Sequence, residues 1–576
     1  MKKVITILLM LVSIAFSKNW YIDNESKGTN NGDSWQNAWK SFSNINWANI
    51  SPGDVIFISG GSNSKTYYES LIFNKNGNFG NPITIKVGQE ANHNGVVIID
   101  CQGSISNCVV QNSYTVLDGE FNKSIHLICQ NSAATGITSI RNVRNCTTRY
   151  VEVSHCGRDL RMNGIEYLGS QGGVIEYCYV HNSYQDGVKW TSASGQWGSN
   201  VLRFSRIHDN YDDGVSGEDG IDIHDCIIHF QGMTAATGHP DGIQTMGNYI
   251  RIWNNLIYDN STQGVILSFN RTKSGHVRIY NNIFYQTSAS LSARYSRGIN
   301  VRSTAVATII EDVLIANNIF VDHNFSGVEV SPNPATNISV SDPIRIYNNI
   351  FYNLYLIGGN LKYAIVCEGG APYNPDNLLI DYNLLKDGPS GGSMIMYKGK
   401  AYTNAQFYQA GLGQSHGQIN GEPEFVRYSE FGNNDYHLKE NSAAIDVGID
   451  LSNYFKEDRE GNQRTGIWDL GCYNFSGQVN LIPDISYEVK DFELKQNYPN
   501  PFNPITSINW ILPVATDVEL SIYNLLGQKI ITLVSENQSA GEHAVKWDAS
   551  GLPSGIYYYM IKAGSFESVK RMFFLK

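Results

Sequence analysis

Proline is scarce in this 576-residue chain, at 16 positions, and charged residues make up only 16%. Positive charge is the scarcer sign: 42 Lys and Arg face 53 Asp and Glu, for a net charge of −11. That deficit excludes a phosphate-neutralising face, and with it nucleic acid as a partner and docking on an anionic membrane. No CxxC pair occurs among the nine cysteines (101, 108, 129, 146, 156, 178, 226, 367 and 472), which argues against a structural zinc site. Past the first residues there is also no apolar run long enough for a transmembrane segment. Low charge does not mean disorder here, because hydrophobics reach 42% and aromatics 12%. Abundant glycine (54) with few prolines suits many short strands joined by tight turns.

The N-terminus reads MKKVITILLMLVSIAFS. Two lysines precede the apolar run Val4 to Phe16, and small residues follow, which is the pattern of a secretory signal peptide over 1–17. The run is too short to cross a bilayer comfortably. The mature chain is expected to begin near Lys18. An odd cysteine count leaves at least one thiol unpaired. Cys101 and Cys108 are near enough in sequence for a small disulfide loop, but the preferred reading is that most of the nine are small buried hydrophobes.

A phrase recurs along the middle of the chain: RIWNNLIYDN (251–260), RIYNNIFYQT (278–287), LIANNIFVDH (314–323), RIYNNIFYNL (345–354) and LIDYNLLKDG (379–388). Its marker residues Asn255, Asn282, Asn318, Asn349 and Asn383 lie 27, 36, 31 and 34 residues apart, and weaker copies run upstream to 149. Each copy alternates apolar and polar residues, the strand period. Self-similarity on this scale without a helical period predicts a β-solenoid, its coils stacked about 4.8 Å apart. The Asn markers are then an inward or turn-lining ladder. A β-propeller would have longer, more even blades.

A second column fixes the register. An x-Gly-Val/Ile triplet occurs at Asn163-Gly164-Ile165, Asp186-Gly187-Val188, Asp213-Gly214-Val215, Asp241-Gly242-Ile243, Gln263-Gly264-Val265, Arg297-Gly298-Ile299 and Ser326-Gly327-Val328. With Val or Ile inward, strand parity turns outward both the residue before Gly and the residue after Val or Ile. The predicted wall carries Asp186, Asp213 and Asp241 on successive coils, beside a column of Glu166, Lys189, Ser216, Gln244, Ile266, Asn300 and Glu329.

These repeats resemble the right-handed parallel β-helix proteins of the pectate-lyase type over about 20–475. WYIDN (20–24), GDS (32–34), AWKS (38–41) and PGD (52–54) look like their N-terminal cap; DYHL (435–438) and AIDVG (444–448), with DREG (458–461) and DLG (469–471), look like their C-terminal closure. The expected fold is all-β: a right-handed parallel β-helix over 18–476, a linker over 477–491 and a small β-sandwich over 492–576. That last segment, with NPFNP (500–504), Gly527-Gln528 and Gly555-Ile556-Tyr557, closely resembles the C-terminal sorting domain of the type nine secretion system. The resemblance implies the type nine machinery as a partner and a secreted or outer-membrane surface location; a monomer is expected.

The densest polar stretch runs from Asp186 to Asp241. Asp-Gly is also an ordinary turn pair. Stacked carboxylates repel unless a cation lies between them, and sulfur-free oxygen ligands suit calcium. Asp186, Asp212, Asp213 and Asp241 are the candidate ligands. The stretch resembles in part the family-nine pectate lyases: Asp186 matches the first calcium ligand and Asp212-Asp213 the following pair, while Ser216 stands at the fourth and Gln244 where the lysine base belongs. It also resembles in part the inverting polygalacturonases, through Asp186, Asp212-Asp213, Gly238-His239 and Arg251-Ile252. The first resemblance implies calcium-assisted β-elimination on an acidic, uronate-containing polysaccharide; with no lysine at 244, Lys189, two coils earlier in the same outward column, is the favoured base and His239 or Arg297 are the alternatives. The second implies hydrolysis by the same Asp residues. A non-catalytic glycan-binding surface protein or adhesin is the third possibility. Trp190, Trp197 and Tyr211 are candidate sugar-stacking platforms.

Overall fold

The computed structural model describes residues 17–575 except 102–106, 121–124, 130–134, 158–161, 192–195, 232–239, 272, 288–296, 304–308, 324–325, 332–336, 340, 355–362, 368–376, 387–394, 420, 430–433, 476–492, 495–496, 498–499, 501, 513–515, 526–527, 539–540 and 564–565. The expected signal peptide and linker therefore lie almost wholly outside the described residues.

Contacts divide the chain into two units, Met1–Gln478 and Val479–Lys576. The first is a right-handed parallel β-helix. Three parallel sheets run its length, visited in turn by each coil. In one coil, Thr147–Arg149 lies in sheet one, Val151–Ser154 in sheet two and Ile165–Leu168 in sheet three; the next coil repeats this with Gly173–Glu176, Tyr179–His181 and Val188–Thr191. The inward row of sheet three is Ile165, Val188, Val215, Ile243, Val265, Ile299 and Val328, in register and fully buried. Each such side chain contributes about 1.5–3 kcal/mol by leaving water.

The corner between sheets one and two is a single residue in the left-handed region: Tyr150, Tyr177, Phe204, Asp225, Asn254, Asn281, Asn317, Asn348 and Tyr382 on successive coils. Asn tolerates that conformation better than most residues, which accounts for the first Asn of each Asn-Asn pair. The second Asn turns inward and stacks. The backbone N–H of Asn255 donates to Asn282 Oδ1, that of Asn282 to Asn318 Oδ1, that of Asn318 to Asn349 Oδ1 and that of Asn349 to Asn383 Oδ1, each at 3.0 Å. Each side-chain amide also donates onward to the next Oδ1 and to a strand carbonyl. The predicted ladder is thus present, fully buried and satisfied.

The glycine of the x-Gly-Val/Ile column is required by close approach. A Cβ on Gly187 would lie 2.7 Å from the Gly214 carbonyl oxygen of the next coil and 2.7 Å from the Asn210 side-chain amide. Most of the cysteines are buried, unpaired in disulfides, as the sequence suggested. Cys101 and Cys108 form a disulfide, whereas Cys129, Cys146, Cys156, Cys178, Cys226, Cys367 and Cys472 are buried thiols.

The second unit pairs a three-stranded antiparallel sheet (Glu493–Leu494, Ile505–Leu512, Gly541–Asp548) with a four-stranded one (Thr516–Tyr523, Lys529–Gln538, Gly555–Ala563, Phe566–Phe574). Trp510, Leu520, Tyr559 and Phe574 fill the core of this small sandwich.

Candidate functional site

The outward row of sheet three runs Glu166, Lys189, Ser216, Gln244, Ile266, Asn300 and Glu329, as the sequence register predicted. The Asp column differs from expectation. Asp186, Asp213 and Asp241 are 2%, 3% and 0% exposed, so they do not form an outward wall. They stand before the strand, where the chain is turning and the pleat does not apply. Their carboxyls run along the helix axis and join coil to coil. The backbone N–H of Asp186 donates to Asn163 Oδ1 at 3.2 Å, that of Asp213 to Asp186 Oδ1 at 3.3 Å, and that of Asp241 to Asp213 Oδ1 at 3.1 Å. Thr262 Oγ1 and Gln263 Nε2 donate to Asp241 Oδ1 and end the series.

Burial, and then the neighbouring carboxylates, disfavour charge on this column. Burial pushes the Asp241 carboxyl up to about 7. Burial and the flanking Asp241 and Asp186 hold Asp213 well above the carboxylate range. Asp186 is raised by burial while Lys189 pulls it back. Asp212 is half-buried and its charge bears on all three. Lys189 Nζ donates to Asp186 Oδ2 at 2.8 Å. Burial works against the lysine's charge, but Asp186 outweighs it and the ammonium is held above its usual range.

Other carboxylates of the stretch are engaged elsewhere. Asp219 accepts two bonds from Arg271, Asp222 pairs with Arg251, and Asp225 with His224. Arg297 sits at the pre-glycine corner two coils above Asp241 and donates to Glu329. It is four coils from Lys189, about 19 Å along the axis, so the two do not share one subsite. His239 lies outside the described residues. Trp190 is 1% exposed and packs edge-on against Tyr167 in the core, so it is not a sugar platform. Trp197 is 38% exposed, and Tyr211 stacks on Tyr184. Reasoning from sequence missed Asn163, Thr262 and Gln263 as the two ends of the Asp column. The x-Gly column that names Asn163 and Gln263 held that signal.

The donors suit calcium in kind: all are oxygen, and Asp241 Oδ2 is buried without a hydrogen-bond partner. The spacing is that of a column. Among the described residues, only Cys101, Cys108 and Cys129 bring three potential ligand atoms within 4.8 Å of one another.

Residues 135–341 match the family model described as a right-handed β-helix region, and residues 496–574 match that of a secretion system C-terminal sorting domain. The fold and the tail are therefore those of a secreted or cell-surface β-helix protein that engages the type nine secretion machinery. No helix among the described residues is long and apolar enough to cross a membrane. Solved structures similar to the chain include pectate lyase Pel9A, at 16% identity over 80% of this chain and 97% of that one, with a TM-score of 0.37. A GH136 lacto-N-biosidase from Eubacterium ramulus matches at 10% identity over 61% and 67%, with a TM-score of 0.42. An alginate lyase from Paenibacillus sp. str. FPU-7 matches at 12% over 58% and 97%, with a TM-score of 0.26. No curated protein sequence matches the chain.

Proposed function

We propose that this exported β-helix acts on an acidic polysaccharide, cleaving it by β-elimination along the outward row of sheet three, with Lys189 as the base and calcium bound along the column of Asp186, Asp212, Asp213 and Asp241, neighbouring coils supplying the ligands of each ion. One observation carries the reading. Asn163 accepts the corner backbone N–H with a neutral amide, the next two coils accept it with Asp186 and Asp213, and a third carboxyl, Asp241, accepts from the Thr262 and Gln263 side chains. The fold asks only for an oxygen acceptor, so the three extra carboxyls, buried at a cost, point to a cation. When bound, calcium would neutralise a uronate carboxylate and acidify the proton on the neighbouring carbon. Lys189 stands in the outward row, where a chain lying across the coils would pass, and Asp186 orients its ammonium. Asp186 also keeps Lys189 protonated, so the base acts only once that hold is relaxed.

Hydrolysis is the second reading, favoured by the Asp241 carboxyl held near 7. Complete burial of Asp241 counts against it as the proton donor. A panel of uronate polymers, with calcium or chelator, separates the readings. Calcium-dependent ultraviolet absorbance from a new conjugated double bond, together with new reducing ends, is expected. New ends without absorbance would mean hydrolysis. Retained glycan binding with neither would mean a non-catalytic surface protein.

A further inference from the structure

The corner between sheets two and three carries a second inward ladder. Its members Ser183, Asn210, Gln231 and Asn260 are joined coil to coil by backbone N–H donation to the next side chain. Below Ser183 the same place is filled by sulfur. Strands Val96–Asp100, Ile125–Ile128 and Val151–Ser154 stack in register, and each leads into a cysteine: Cys101, Cys129 and Cys156. Cys108, at the start of the next sheet-three strand, reaches into this group. Cys129 Sγ lies 3.2 Å from Cys108 Sγ and 3.4 Å from Cys156 Sγ. All four cysteines are buried.

We propose that this cluster is a two-disulfide staple, Cys101–Cys108 and Cys129–Cys156, and that the second bond ties two successive coils together in the exported protein. The geometry selects this partition of the four sulfurs. Either alternative joins a residue of the Cys101–Cys108 coil to Cys156, two coils away. That span is about 9.6 Å, beyond the roughly 7 Å that a disulfide tolerates between Cα atoms. Neighbouring coils, about 4.8 Å apart, fall inside the allowed range. The bond forms by thiol–disulfide exchange with an oxidant disulfide outside the cytoplasm. A thiolate of one cysteine attacks the oxidant. The mixed disulfide is then resolved by the other, which releases the oxidant as a dithiol that carries away the two thiol protons. Once the coils close, the hydrogen bond to Cys156 and burial hold the Cys129 thiol far above the range in which it ionises. Oxidation therefore precedes burial, during export and folding.

The test uses the full-length protein exported by its own secretion route, denatured in a thiol-alkylating reagent without reductant and mapped by mass spectrometry after digestion. With nine cysteines and two disulfides, five alkylated thiols are expected, against seven for Cys101–Cys108 alone. The Cys129 and Cys156 peptides should be recovered joined and separate on reduction. Cys156→Ser should leave Cys129 fully alkylated, which gives a second reading of the pairing in a protein that keeps its fold. Recovery of both Cys129 and Cys156 as alkylated thiols from the wild type would overturn the proposal, and so would a peptide joining Cys108 to Cys129. None of these outcomes depends on enzymatic activity.

Discussion

Two of the ladders that climb this β-helix, the amides from Asn255 to Asn383 and the carboxyls from Asp186 to Asp241, perform the same mechanical task. In the amide ladder from Asn255 to Asn383, every rung accepts a backbone N–H from a neighbouring coil and returns a donor to the next rung. In the carboxyl ladder, Asn163, Asp186 and Asp213 accept a backbone N–H in the same way and Asp241 accepts from the Thr262 and Gln263 side chains, but an ionised Asp has no donor to return. The amide ladder is electrically neutral and self-satisfied, which is what a buried column requires for stability. The carboxyl ladder stacks like charges that burial disfavours, and it sits at the foot of the row that carries Lys189. A fold selected only for stability would have used Asn throughout. The difference marks where the β-helix gives up stability for chemistry.

Lys189 tests that difference most severely, because it is the cation that leans on the carboxyl ladder. Lys189→Met should lower β-elimination by about 10²–10⁴-fold while leaving the β-sheet circular dichroism intact. A loss below tenfold would remove Lys189 as the base.

Asn318→Asp imports a carboxyl into the amide ladder. The substitution removes the donors to Ile279 and Asn349 and sets a carboxylate against the Asn349 oxygen. Denaturant unfolding should show a loss of about 3 kcal/mol or more, which calcium does not restore. Rescue by calcium there would mean that any buried Asp in this fold recruits the ion, and the contrast between the ladders would dissolve.

The carboxyl ladder should also show its charge as a pH dependence. Folded Asp186, Asp213 and Asp241 have raised pKa values, Asp241 to about 7, so the unfolded chain loses these protons first. Between about pH 4 and 7 the native state binds more protons, and stability falls as pH rises. Calcium binds the ionised form, so its protection should be larger at pH 8 than at pH 5. Asp213→Asn should flatten the pH dependence and raise the chelated protein's stability at pH 8 by about 1 kcal/mol or more. It should also remove much of the calcium effect. Thermal melts with chelator and with calcium, at both pH values, measure all three.

Much of the fold was legible because its determinants are local and repeated. Val188, Val215 and Ile243 recur at strand parity, and Asn-Asn supplies a left-handed corner followed by an inward amide. The orientation of the Asp column was not legible, because parity holds along a strand and Asp186, Asp213 and Asp241 precede it. Trp190 shows the converse. It lies two residues after Val188, so the same parity that sent Val188 inward sends Trp190 inward as well, whatever its suitability for sugars. The Asp186–Lys189 ion pair spans the corner and the strand, and neither pattern alone contains it.

The finest test adds one charge at the foot of the carboxyl ladder. Asn163 is 4% exposed and its Oδ1 accepts from the Asp186 backbone. Asn163→Asp keeps that acceptor and the shape, so the coil-to-coil bond survives. What changes is a fourth carboxyl stacked on three, closest to Asp186. At pH 4 the new group is largely protonated and stability should match the wild type. At pH 8 it is ionised in the unfolded chain but resisted in the folded one. The chelated protein should therefore lose about 1 kcal/mol, read as a lower melting temperature that calcium partly returns. Equal melting at both pH values would mean that the foot of the ladder is open enough to water to carry the charge freely. The step from amide to carboxyl at Asp186 would then lose its energetic meaning.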